Sequence, residues 1–257
     1  MVKLKKANVA GYFYPENKED IVKMFKNFEK QIKEEIYNFI SEIKNLKALI
    51  LPHAAYIYSG IVATYGYLLA KKLGFFDKVL LVGPSHYFYF NNFFQPNFDY
   101  YETPFGKIKV NKISLIPKNN EVFEKEHSLE VHLPFIQYFL KKDEIYLFLA
   151  GEVFDIDLLH KIHGKFDLII VSSDLSHYFP YIEANKRDLN TISLILKKDL
   201  KNFVKEGDAC GKEVIKSLIY LSKRENLKVK LLKYLNSGDT YGDKRRVVGY
   251  SAIAFYD

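Results

Sequence analysis

Short, continuously apolar segments that alternate with helix-like segments most constrain the fold of this chain. The apolar segments lie at residues 48–51, 79–82, 145–149 and 168–171. Their length and unbroken apolarity are typical of strands buried on both faces. Helical periodicity is present at about residues 17–43, 60–72, 128–141, 182–198 and 211–223. This alternation predicts an α/β fold, a three-layer sandwich in which helices cover both faces of a mostly parallel or mixed central sheet.

Two further segments have the pattern of paired strands. Residues 98–111 read as an inserted hairpin that turns at Gly106. Residues 228–235 and 247–255 read as two strands around a loop, and we expect them to extend one edge of the sheet. Because no repeat or flexible linker interrupts the pattern, residues 1–257 are interpreted as a single domain.

Composition limits the class of protein. Apolar residues make up 48% of the chain, which is enough for one core. The net charge of +7 comes from scattered lysines rather than a compact basic run, so we expect no nucleic-acid partner. Without a signal-peptide pattern or a long apolar segment, we expect a cytoplasmic protein with no membrane contact. The single cysteine excludes an internal disulfide.

Polar side chains follow three of the predicted strands directly. His53 follows the first strand and His86 the second, while Asp174 and His177 follow the strand at 168–171. In open α/β sheets, ligands bind beyond the carboxyl ends of the strands. If the strands are parallel neighbours, these four side chains converge on one crevice, which predicts a shared site.

The residue types at these strand ends favour a metal site. Two imidazoles and one anionic ligand hold Fe(II) with positions left open for substrate and oxygen. On the residues alone, the third ligand is either Asp174 or the thiolate of Cys210. Cys210 precedes a predicted helix, whose N-terminus stabilises a thiolate. The alternative is that Cys210 is a buried, inert thiol.

His127 and His132 lie five residues apart, which does not give the two-histidine face of an HExxH helix. Since Pro134 is tolerated only in a first helical turn, we expect both histidines near a helix start. They would reach the crevice as hydrogen-bonding groups, with Glu130 orienting one of them. The alternative is a simple capping or surface role. The sequence has no dinucleotide-binding glycine motif, Walker loop or serine-hydrolase elbow.

Eight separate motifs, in order, resemble those of one known family. They are VAGYFYP (9–15), LPHAAYIYSG (51–60), VGPSHY (82–87), YETPFG (101–106), HSLEVHLP (127–134), VSSDLSHY (171–178), ACG (209–211) and GYSAIAF (249–255). The family is the Memo family, whose prokaryotic members are called AmmeMemoRadiSam system protein B. One departure is Ala55, where the family pattern has glycine.

This resemblance implies a fold similar to that of the class III extradiol dioxygenases. It implies His53, His86 and Cys210 as metal ligands. It also implies catalytic roles for His177, with Asp174 beside it and His132 in the same pocket. Fe(II) is the expected metal, with Cu or Zn as alternatives, and the expected substrate is a small phenol or enediol. The family name further implies a radical SAM protein and an AMMECR1-like protein as partners.

The sequence alone leaves several functions possible. The first is an iron-dependent oxidoreductase of the extradiol-dioxygenase type, although a thiolate is softer and more oxidisable than the usual carboxylate. The second is a binding or assembly module that retains the pocket. The third is a copper-binding redox protein, and a zinc hydrolase is a fourth.

Overall fold

A mixed β-sheet runs through the computed structural model, which describes residues 2–152 and 155–257. Nine of its strands follow the order β1-β5-β6-β7-β3-β8-β2-β11-β10, while β4 pairs with β7 and β9 with β11. The strands are β1 (Leu4–Lys5), β2 (Leu46–Leu51), β3 (Val79–Pro84), β4 (Phe93–Phe94), β5 (Tyr100–Thr103), β6 (Gly106–Asn111), β7 (Glu144–Ala150), β8 (Leu168–Ser172), β9 (His177–Phe179), β10 (Lys228–Asn236) and β11 (Val247–Tyr256).

The four apolar segments form the centre of this sheet, as predicted. Strands β7, β3, β8 and β2 are neighbours in that order, and all three pairings between them are parallel. Leu51 pairs with Ser172 and Pro84 with Ala150, so the carboxyl ends of these strands finish at one edge. That edge is where the predicted site residues follow.

Helices cover both faces of the sheet. The α-helices of the described residues are α1 (Lys18–Ile40), α2 (Tyr56–Leu73), α3 (Leu133–Phe135), α4 (Leu158–Ile162), α5 (Tyr181–Leu196), α6 (Leu200–Glu206), α7 (Lys212–Arg224) and α8 (Ser237–Thr240). None of these helices combines the length and apolarity needed to cross a bilayer.

The central strands are buried on both faces because successive side chains point to opposite helical layers. In β2, Leu49 and Leu51 lie in a core cluster that includes side chains of α1 and α2. Ala48 and Ile50 lie in a second cluster that includes side chains of α5 and α7. The continuous apolar runs in the sequence are the direct consequence, and the three-layer prediction is confirmed.

The prediction of one regular helix over residues 128–141 is wrong. The segment consists of a 3₁₀ turn at Glu130–His132, then α3, then a π-helical turn at Ile136–Leu140. Pro134 has no amide hydrogen to donate to the preceding turn. The carbonyl of Val131 accepts a hydrogen bond from the hydroxyl of Tyr56 at 2.8 Å. Both features break the helical ladder at this point.

The two predicted β-segments outside the centre are confirmed. Strands β5 and β6 pair as an antiparallel hairpin, and Gly106 has a φ of +105° at its turn. Strand β11 pairs antiparallel with β2 and β10 with β11, which extends the sheet at one edge. The loop between β10 and β11 contains α8, and the pairing of β9 with β11 places His177 opposite Val248.

Gly83, near the end of β3, allows the 127–132 segment to lie directly on the sheet. A Cβ at this position would lie 2.7 Å from Ser128 Oγ and 2.9 Å from Leu129 Cδ2. We therefore expect Gly83→Ala to lower the free energy of unfolding by about 1–3 kcal/mol, measured by urea denaturation. Gly164→Ala is the matched control, since a Cβ there meets nothing within 4 Å. Equal stability of the two variants would contradict the close contact.

Candidate metal centre

Three histidine rings meet beyond the carboxyl ends of β2 and β3. The ring centroids of His53 and His86 are 5.2 Å apart, those of His53 and His127 5.5 Å, and those of His86 and His127 4.7 Å. One ring nitrogen from each lies within 4.8 Å of the other two. His53 is buried, His127 is partly buried and His86 is exposed. Imidazole nitrogens in this arrangement can hold a metal ion.

A buried carboxylate fixes the orientation of His86. Glu126 accepts hydrogen bonds from the His86 amide at 2.6 Å and from His86 Nδ1 at 2.9 Å. It also accepts from the amides of His127 and Ser128. Burial acts to raise the pKa of Glu126, but the hydrogen bonds and charge of His86 outweigh it and leave that pKa below its usual value. Ionised Glu126 only accepts, so the proton of His86 lies on Nδ1 and Nε2 is free for a metal.

A serine hydroxyl group forms a hydrogen bond with the ring of His53. Its Nδ1 lies 2.6 Å from Ser172 Oγ, at the end of β8. Its pKa lies well below the usual value because of burial and the nearby charges of His86 and His127. His53 is therefore neutral, as a metal ligand must be.

His132 lies on the far side of the same hydroxyl. Its Nε2 is 3.0 Å from Ser172 Oγ and its Nδ1 is 2.8 Å from the hydroxyl of Tyr67. Burial lowers its pKa to about 3. His132 was predicted to be a catalytic residue; in the structure it is buried and is linked to His53 by the Ser172 hydroxyl.

Cys210 lies beside His53, outside the three-histidine group. Its Sγ is 3.4 Å from His53 Nε2 and accepts a hydrogen bond from the amide of Asp174 at 3.2 Å. Burial and the charge of Asp174 raise the pKa of this thiol. In the metal-free chain, burial and Asp174 therefore favour the thiol form, whereas the sequence pattern predicted a thiolate at the start of α7. A metal bound here would have to displace the thiol proton.

Asp174 also contacts His53, through both of its carboxylate oxygens. Its Oδ1 accepts a hydrogen bond from the His53 amide at 2.9 Å, and its Oδ2 lies 3.9 Å from His53 Nε2. Burial raises the pKa of Asp174 to about 6, while the charge of His177 and the His53 amide oppose the rise. Asp174 can therefore hold or release a proton near neutral pH.

A cleft of about 540 Å³ opens next to these residues. Asp174, His177 and His127 line it together with several aromatic side chains and one cation: Tyr12, Phe13, Tyr58, Tyr178, Tyr241, Tyr250 and Arg246. His177 is half-buried on β9. The cleft is large enough for a small flat molecule and is lined largely by aromatic side chains.

The N-terminal segment forms one wall of the cleft, and Glu130 anchors it. The buried carboxylate of Glu130 accepts hydrogen bonds from the amides of Asn8 and Val9 and from the hydroxyls of Tyr14 and Tyr101. This position differs from the expected role of orienting a histidine, which falls to Glu126. The ring of Phe13 packs on His127 with centroids 4.8 Å apart.

Three residues of this site were not predicted from the sequence: Glu126, Ser172 and Tyr67. His127 was predicted only as a hydrogen-bonding group and not as a member of the histidine group. Glu126 directly precedes His127 and Ser172 lies two residues before Asp174, so position in a motif is a signal for both. Tyr67 has no such signal, because a tyrosine within a buried helix looks like any core residue.

Comparison with known proteins gives matches along nearly the whole chain. Residues 5–254 match the family model described as Memo-like protein. A MEMO1 family protein of Pyrobaculum arsenaticum is 32% identical, covering 99% of this chain and 100% of the relative. A MEMO1 family protein of Desulfurococcus amylolyticus is 34% identical, covering 96% and 97%. One of Caldivirga maquilingensis is 30% identical, covering 98% and 99%.

Glu126 provides a test of how the ligands are oriented. We expect Glu126→Gln to weaken Zn²⁺ binding about 10- to 100-fold in chelator competition, because the uncharged amide has one acceptor oxygen and cannot accept from both the amide and Nδ1–H of His86. Exposed Glu121 lies in the same segment, and Glu121→Gln should bind Zn²⁺ like the unmodified protein. Undiminished binding by Glu126→Gln would mean that His86 does not depend on this carboxylate.

Proposed function

Because this chain belongs to the Memo family, we propose that it is a metal-binding protein of the oxidoreductase type, related to the class III extradiol dioxygenases. The three-histidine group of His53, His86 and His127 carries the proposal. The proposed fold relationship has the support of the α/β architecture with a mixed sheet and a site beyond the strand ends.

The donor set fits a borderline transition-metal ion. Imidazole nitrogens suit iron, copper and zinc, and a thiolate adds preference for softer ions. We propose His53 and His86 as ligands, with Cys210 as the third ligand that the family resemblance implies. His127 is an additional donor, and its place in the histidine group supports that role. Fe(II) is the proposed metal, with copper or zinc as alternatives.

The remaining residues of the cleft would handle substrate and protons. Iron supplies one-electron chemistry toward O₂ when bound in such a site. His177 and Asp174 line the cleft beside the ligands, where they are placed to move a substrate proton. The tyrosine faces suit a small phenol or enediol, since flat rings pack well on aromatic side chains.

A binding or assembly role is the second candidate. Tyr12, Tyr178 and Tyr241 at the cleft are 85%, 61% and 65% exposed, which is more aromatic surface than a small substrate requires. A radical SAM protein and an AMMECR1-like protein are the proposed partners. In this case, His53→Ala would leave partner binding intact while removing the metal.

Elemental analysis after anaerobic purification tests the proposal. We expect near-stoichiometric iron in the unmodified protein and its loss from a His53→Ala/Cys210→Ala double variant. A separate His127→Ala variant reports whether His127 contributes to retention. Copper lost in the same pattern would favour the redox role of that metal. Equal metal in both proteins, or none in the unmodified protein, would contradict the ligand set and favour the binding module.

A further inference from the structure

We infer that Tyr67, His132 and Ser172 form a hydrogen-bond relay that fixes the proton of His53 on Nδ1 and so presents the Nε2 lone pair to the metal centre. All three are buried, and each reaches the next from a different element: α2, the 3₁₀ turn and β8. The metal-binding consequence rests on the proposed function. The position of the proton is a property of the metal-free chain.

The position of one hydrogen decides the arrangement. Ser172 Oγ lies 2.7 Å from the carbonyl oxygen of Ser128, which can only accept. The single hydroxyl hydrogen of Ser172 must therefore point there, since two bare oxygens at that distance repel each other. The remaining contacts of Ser172 Oγ are with His53 Nδ1 and His132 Nε2. Both ring nitrogens must then donate, and they occupy both lone pairs of the hydroxyl oxygen.

Tyr67 completes the relay at the other end. Neutral His132 with its proton on Nε2 has a lone pair on Nδ1, which lies 2.8 Å from the Tyr67 hydroxyl. Tyr67 donates to that lone pair. This bond stabilises the Nε2–H form of His132, which is the form that the direction of the Ser172 hydrogen requires. Every donor and acceptor is satisfied by one assignment of protons.

The consequence lies at His53 Nε2. This atom is 3.4 Å from Cys210 Sγ, and it is the ring nitrogen that Ser172 leaves free. A proton on Nε2 would block metal binding and would leave a bare Nδ1 against Ser172 Oγ. Tyr67, His132 and Ser172 are therefore positioning residues, which act on the metal through His53.

Long-range ¹H–¹⁵N correlation spectra of the metal-free protein test this inference directly. The two nitrogens of a neutral imidazole have well-separated ¹⁵N shifts that depend on which one carries the proton. We expect His53, assigned by the loss of its signals in His53→Gln, to be protonated on Nδ1. Protonation mainly on Nε2 would overturn the relay. No metal is involved, so this result stands apart from any failure of the protein to bind metal.

Two variants test the links of the relay. Ser172→Ala should shift His53 away from the Nδ1–H form and weaken Co²⁺ binding about 10- to 100-fold. The matched control is Ser222→Ala, whose buried hydroxyl donates to the Ile219 carbonyl away from the centre. An unchanged His53 proton in folded Ser172→Ala would overturn the inference.

Tyr67→Phe removes one hydroxyl and keeps the ring, so it provides a second test if Ser172→Ala does not fold. We expect the proton of His132 to stay on Nε2 and the ¹⁵N resonance of its Nδ1 to shift, because the lone pair loses its hydrogen bond, with a smaller loss of Co²⁺ affinity than in Ser172→Ala. An unchanged Nδ1 resonance, or a His132 proton on Nδ1 in the unmodified protein, would contradict the relay.

Discussion

The parallel pairing of four central strands is the constraint on which the site depends. Because β2, β8 and β3 run in the same direction, their carboxyl ends finish at one edge. The pairing of Leu51 with Ser172 fixes the register there, and a slip would reverse which residues face the ligands. Segments that follow separate strands thus supply His53, His86 and Asp174 to one small volume.

Burial and hydrogen bonding then determine which side chains in that volume are charged. His53 is kept neutral by burial and by its neighbours, whereas Glu126 is kept ionised by its hydrogen bonds. The group therefore combines the neutral imidazole of His53 with a negative charge behind His86, which a bound cation would balance. The same burial raises the pKa of the Cys210 thiol.

The sequence predicted the sheet and the strand-end residues because strands buried on both faces leave continuous apolar runs. It did not predict that the 128–141 segment is an irregular helix. The Tyr56 hydroxyl, which donates a hydrogen bond to the Val131 carbonyl, comes from another element. The protonated state of Cys210 depends on burial, which the start of α7 in the sequence does not reveal. Likewise, only the fold brings Tyr67 to His132, 65 residues away along the chain.

Anomalous diffraction from crystals soaked in Zn²⁺ tests the central claim most directly. One peak is predicted beyond the ends of β2 and β3, at bonding distance, about 2.0–2.1 Å, from ring nitrogens of both His53 and His86. The same map would show whether Cys210 or His127 completes the coordination. The absence of a peak at this position, or a peak only beside the surface pair of His160 and Glu225, would contradict the account.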